Sequence, residues 1–409
     1  MRHGFSWRHP FFMFLFLSLI FNGSNSFAAG KNGTLEEYYP EGKISARRAY
    51  KNNKLNGLSE MFYPNGKVSS QANYFDDVLN GESKAFYENS DPLFVKQFKN
   101  GLLDGEVKEY YLGRQLKTIE KYSKDQLNGF CQYYFENGSL KYEMNFKNGA
   151  LDGISKEYYP NGKMKSEANY LKDRWDGVVK QYDELGHLEA QWQYKNGKRN
   201  GLAKTFFPSG QLKWEAKFID EQIEGPTFTY NEDGQIVLDT NFLHNQLNGN
   251  LREYYPDGTV KTISEYKNDV KNGLMKEYFP DGIVSLERTY ENGQEKGVSK
   301  EYFDNGTLWV YREYTNEQKD GVLKEYYKTG ELKQEWPIKK GFFEGISKSY
   351  YVSGKVMTEE NYSAGKKNGT TKIYQQDSKL AYEDVYKDGE RILRKSYDEH
   401  GHLKPQEDN

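Results

Sequence analysis

An all-β fold is what this sequence predicts, an elongated meander of about fifteen 24-residue β-hairpin repeats forming a long twisted sheet. Three observations carry that expectation. Glycine recurs every 24 residues without insertion or deletion, at Gly33, Gly57, Gly81, Gly105, Gly129, Gly153, Gly177, Gly201, Gly225, Gly249, Gly273, Gly297, Gly321, Gly345 and Gly369. A fixed period of this size marks an array whose members pack only on their neighbours. Apolar positions alternate with a period of two and break at Gly-rich turns, as strands do and helices do not. Finally, 36% hydrophobic content and a mean hydropathy of −0.96 argue against a thick core, while 16% aromatic residues argue against disorder.

Before the array comes a stretch of different character. Met1 to Arg8 is a basic start, Phe11 to Phe21 is an apolar run, and Ser26-Phe27-Ala28 supplies small residues for processing. Residues 1–28 are therefore expected to be a secretory signal cleaved after Ala28. The run would form a helix of only ~17 Å, short against a ~30 Å hydrocarbon core. The destination is expected to be a periplasm or the cell exterior. Without Arg2 and Arg8 the chain carries 55 basic and 60 acidic residues. That mixture gives no nucleic-acid or anionic-membrane field. Cys131 is the single cysteine, so packing and strand pairing must hold the fold.

Within each repeat, count the anchor glycine as position 0. Position 5 is aromatic in all fifteen repeats, from Tyr38 to Tyr374, and position 6 in twelve. Position 11 is Ile, Val, Leu or Met in fourteen, and position 17 is aromatic in fourteen. Between positions 6 and 11 stands a turn, Pro64-Asn65-Gly66 or Pro256-Asp257-Gly258 for example. Pro presets the first corner, Asn or Asp the second, and Gly takes the left-handed one. A three-residue loop of this type pairs position 5 with position 11. Continued alternation would then place positions 1, 5, 11 and 17 on one face, with position 6 on the other. A second turn follows position 17, as in Lys147-Asn148-Gly149. The array is expected over 29–391, with a partial capping repeat and tail over 392–409.

The repeat Gly153-Ile-Ser-Lys-Glu-Tyr-Tyr-Pro-Asn-Gly-Lys-Met-Lys-Ser-Glu-Ala-Asn-Tyr170 resembles the MORN-repeat variant of bacterial proteins, a family that includes YwqK-type antitoxins. The resemblance spans about residues 33–391. It implies hairpin repeats in a curved sheet and a non-enzymatic role in protein or lipid contact.

Candidate binding residues follow from the repeat positions. Lys or Arg fills position 3 in eleven repeats, Lys156, Lys180 and Lys204 among them, on the face of position 5. Such a Lys–aromatic ladder could take an acidic polymer or anionic headgroups, or simply cover the rings with its stems. Trp192 at position 15 and Trp214 at position 13 are expected on that same face as a partner anchor. Trp309 and Trp336 repeat the idea. His400 and His402 alternate without further ligands, so no metal is expected. No nucleophile elbow, phosphate loop or dinucleotide fingerprint is present. The expected function is an exported, non-enzymatic scaffold for a protein partner, without cofactor. The alternatives are attachment to an envelope glycan or lipid, and immunity of the antitoxin type.

Overall fold

The computed structural model describes residues 30–314 and 320–405. The expected signal segment, and the tail from residue 406, lie outside the described residues. The chain divides into two compact units, Met1–Gln115 and Leu116–Asn409. Every described element in both is a β-strand, and every strand pairing is antiparallel. In the first unit the meander runs from Gly33–Tyr38 to Gly105–Tyr110. In the second it runs from Leu116–Ser123 to Glu390–Ser396, followed by a Tyr397–Leu403 bridge.

The Gly153 repeat shows how the sequence builds one hairpin. Strand Gly153–Tyr158 turns through Pro160-Asn161-Gly162 into Met164–Leu171. The Tyr159 N–H donates to the Lys163 carbonyl at 2.8 Å, and the Gly162 N–H returns to the Tyr159 carbonyl at 2.8 Å. Gly162 takes φ +83, where a side chain would be strained. Tyr158 pairs with Met164, so position 5 meets position 11 as the turn chemistry requires.

Beyond that pair the alternation expected from sequence fails. Glu157 pairs with Ser166, leaving Lys165 as an extra residue, and Lys156 then pairs with Glu167 and Gly153 with Tyr170. This is a β-bulge, in which two neighbouring residues oppose one and share its side of the sheet. Lys165 and Ser166 both lie against Glu157, at 2.9 Å and 3.5 Å. The same offset recurs along both units. Consequently positions 12, 13, 15 and 17 join positions 2, 4 and 6 on one face, here called the ring face. Positions 1, 3, 5, 11, 14 and 16 form the other, the ladder face. Position 17 was expected with positions 1, 5 and 11; the inserted residue moves it across.

A second irregularity fixes the anchor glycine. Lys172 and Asp173, at φ +50 and +65, form a two-residue turn of the kind that matches strand twist. Leu171 pairs with Arg174 and Tyr170 with Trp175, but Ala168 then pairs with Val179. Two extra residues therefore bulge from the later strand, and Gly177 lies among them at φ +113. A Cβ on Gly177 would sit 3.3 Å from the Asn169 Nδ2, which donates to the Asp176 carbonyl at 2.5 Å. The amide at position 16 thus fills the space that the next anchor leaves empty.

Neighbouring repeats are tied at both ends of their hairpins. The Tyr159 hydroxyl donates to the Tyr182 carbonyl, 23 residues on, and Tyr255, Tyr327 and Tyr351 repeat the bond. At the other end, the Asp173 N–H donates to the Leu151 carbonyl and Asp173 Oδ1 accepts the Leu151 N–H. The core is thin, as the low hydropathy suggested. Its buried residues gather at positions 2, 13 and 15, and many are small, Ala203, Ala190, Ala216 and Ser155 among them.

Candidate interaction surfaces

On the ring face, large side chains flank the small buried row. Rings at position 17 are covered by the residue two before the same repeat's anchor: Lys31 over Tyr50, Lys271 over Tyr290, Trp175 against Tyr194. Rings at position 6 are covered from position 12: Lys141 over Phe135, Lys165 over Tyr159, Lys213 over Phe207, at 5.3–5.9 Å. Lysine–aromatic stacking therefore recurs on this face, between positions 12 and 6, whereas the sequence suggested positions 3 and 5. Trp309, at position 12, replaces the lysine and lies 5.6 Å from Phe303.

Trp192 and Trp214 do come together, with ring centroids 6.4 Å apart. They lie on the ring face, and the expectation that they share the lysine face is overturned by the bulge. Both pack on Ala203, Ala216 and Phe218, joined by Ile223. The Arg199 guanidinium stands 4.3 Å from the Phe218 ring and 5.8 Å from Trp192, and Glu221 holds its Nε at 2.9 Å. A different ring cluster forms where Trp336 stacks 5.6 Å from Phe343, which meets Tyr362 edge-on.

The ladder face carries Lys156, Lys180 and Lys204, each with position 14 residues across the strand on both sides. The succession Glu143, Lys156, Glu167, Lys180, Gln191, Lys204, Glu215 runs over seven neighbouring strands. Lys180 lies 3.7 Å from Glu167 and Lys204 3.4 Å from Glu215. Tyrosine from position 5 of the following repeat completes the shells of two acids: Tyr158 donates to Glu143 at 2.8 Å and Tyr230 to Glu215 at 2.9 Å. Burial, and then these carboxylates, push both phenols up to about 12. Further along, Lys276 and Tyr302 hold the Glu287 carboxyl below its usual range. The lysines are thus half of a neutral ladder. Acids at position 14 (Glu143, Glu167, Glu215, Glu287, Glu335, Glu359) were the signal that position 3 faces position 14.

Sequence reasoning also missed an apolar row on this face. At position 1, Phe130, Ile154, Val178 and Leu202 are 40, 52, 37 and 47% exposed in four successive repeats. The ladder and the row both change at Pro226 and Phe228. There Phe228, Asp239, Asn241, Asn250 and Arg252 line a shallow depression with Pro226.

The remaining chemistry is local. His402 lies 3.4 Å from Asp398, whose carboxylate also accepts the backbone N–H groups of His400 and His402 to close a turn. Cys131 is buried, and burial pushes its thiol up to about 11. Among the described residues, no three metal-binding side chains converge.

Eleven segments of the chain match the MORN repeat variant model: 31–52, 55–76, 127–148, 151–172, 175–196, 199–220, 247–268, 271–292, 295–316, 319–340 and 343–364. Together they make up more than half of the chain. The protein belongs to the MORN repeat variant family. Each matched MORN segment begins two residues before an anchor glycine. No curated protein matches the chain. Among solved structures, it is similar to the TcdB2-TccC3-Cdc42 crystal structure, with 11% identity over 90% of this chain and a TM-score of 0.15. The Photorhabdus luminescens Tc holotoxin pore with a TccC3 mutation matches with 11% identity over 90% of this chain and a TM-score of 0.15. This MORN chain spans 22% of each of those chains, and at such scores the likeness carries no argument.

Proposed function

We propose that this MORN repeat chain is an exported, non-enzymatic scaffold that binds a protein partner on its ring face, centred on Trp192 and Trp214. The observation that supports it is the meeting of two partly buried indoles, with centroids 6.4 Å apart, over Ala203 and Ala216. Arg199 adds a cation beside Trp192. Aromatic and Arg clusters of this kind anchor protein partners. Export rests on Arg2, Arg8 and the Phe11–Phe21 run. It predicts a mature N-terminus at Ala29 when the protein is sequenced from cells.

Envelope attachment is the second reading, favoured by the Lys141, Lys165 and Lys213 stacks, which present cations and rings together. Lys156, Lys180 and Lys204 support it less, because their charges face Glu. The test is a crosslinking pull-down from the envelope fraction with residues 29–409, beside a Trp192→Leu/Trp214→Leu variant of unchanged circular dichroism. A stoichiometric protein lost in the variant supports the scaffold. Recovery of only wall or lipid material, released by salt and indifferent to the Trp changes, contradicts it.

A further inference from the structure

We infer that the ladder face between Phe130 and Glu215 is a self-recognition surface, on which a second copy of this chain packs face to face. Three observations point there together. First, the charges alternate strand by strand, from Glu143 through Lys156, Glu167, Lys180 and Lys204 to Glu215, with one neutral member, Gln191. Their heads reach solvent: Lys180 and Lys204 side chains keep 35% and 32% exposure, Glu167 and Glu215 29% and 24%. Second, Phe130, Ile154, Val178 and Leu202 form an exposed apolar row beside the charges. On the strands between them stand Asn145, Asn169, Gln193 and Lys217, so apolar and polar side chains alternate along this row. Third, both patterns share a two-strand period, which a second copy of the chain matches.

Symmetry then selects the arrangement. A two-fold axis parallel to the strands, set midway between a Lys strand and a Glu strand, reverses the strand order while keeping each row opposite its counterpart. With the axis between Glu167 and Lys180, Lys180 meets Glu167, Lys204 meets Glu143 and Lys156 meets the neutral Gln191, while each position 1 side chain falls between two of the partner's, one strand spacing away. A shift by one strand brings like charges together, so the ladder also fixes register. The interface is isologous and closes on itself. Eight strands at ~4.8 Å and ~20 Å of strand length present roughly 750 Å² per copy, close to the ~800 Å² per partner of stable interfaces. Phe228 and the depression beside it end the alternating run. This surface lies on the face opposite Trp192 and Trp214, so the inference stands independently of the proposed partner site.

The test is sedimentation velocity on residues 29–409 at tens of micromolar, with three proteins of matched circular dichroism. Wild type is expected to be a dimer. Ile154→Lys/Val178→Lys is expected to weaken dimerisation at least about tenfold. The third protein inverts the ladder with Glu143→Lys, Lys156→Glu, Glu167→Lys, Lys180→Glu, Lys204→Glu and Glu215→Lys. Its internal pairs survive, so it should dimerise with itself and fail to exchange subunits with wild type. A monomeric wild type overturns the inference. So does an open polymer, a dimer indifferent to Ile154→Lys/Val178→Lys, or free exchange with the inverted ladder.

Discussion

The two faces of the sheet use the same strands and opposite physics. On the ring face, stability comes from covering small side chains: Ala203 and Ala216 are almost wholly buried beneath indoles and Phe218. On the ladder face, charge meets charge in water and the apolar row stays exposed. The lesson is that one face holds the array together while the other is left for solvent and recognition. Single substitutions should therefore cost unequal amounts on the two sides.

The largest expected effect is on the ring face. Trp192→Ala should destabilise by about 3 kcal/mol, within the range for removing a large ring from a packed site. The equivalent change on the ladder face outside the proposed dimer surface, Ile346→Ser, should stay within about 0.5 kcal/mol, since Ile346 is 53% exposed. Urea melts of both variants check the contrast, and equal costs would break it.

Next comes Asp384, a ring-face acid at position 15 that is 1% exposed. Arg394 holds it with two contacts of 2.7 Å, and Arg391 stands at 3.7 Å. Asp384→Ala should cost about 2–3 kcal/mol, less than the 3–5 kcal/mol of a fully buried pair, because Arg394 keeps solvent access. The Arg394 guanidinium holds this carboxyl below the usual Asp value of 3.8. Its contribution is therefore full above that usual value and lost as pH falls through the depressed one. Thermal melts from pH 7 down to strong acid should show the gap between wild type and Asp384→Asn closing below the ordinary Asp range.

A smaller effect is expected from Tyr159→Phe, which removes the hydroxyl bond to the Tyr182 carbonyl. The loss should be about 1 kcal/mol, read as faster amide exchange in the flanking turns. Smallest is the ladder itself. A double-mutant cycle of Lys204→Met and Glu215→Gln should give a coupling below about 0.5 kcal/mol, as exposed pairs do. A coupling above that of the Tyr159 bond would mean that both faces carry the fold.

Much of this was legible in the sequence, for identifiable reasons. Glycine and the Pro-Asn-Gly turn announce themselves because few residues tolerate their backbone, so the hairpins and the pairing of Tyr158 with Met164 could be read directly. The bulge at Lys165 and Ser166 could not. It needs no glycine or proline, and ordinary residues occupy it, so no turn or breaker residue marks the change of face. Trp192 and Trp214 were correctly put side by side, since both lie beyond the bulge and move together. Their relation to Lys180 and Lys204 was wrong, since those lie before it. The charge match between positions 3 and 14 held the missing information.

The bulge is the central claim, and disulfide formation between introduced cysteines tests it most directly. In a Cys131→Ser background, Lys204→Cys is combined with either Glu215→Cys or Trp214→Cys. Directly opposed residues on one face have Cβ atoms ~4.5–5.5 Å apart, which a small approach of the strands brings to the ~3.5–4.5 Å of a disulfide. The structure pairs Lys204 with Glu215, so that combination should oxidise readily while Lys204→Cys/Trp214→Cys stays reduced. Ready closure of the Trp214 combination instead would restore uninterrupted alternation and return the indoles to the lysine face.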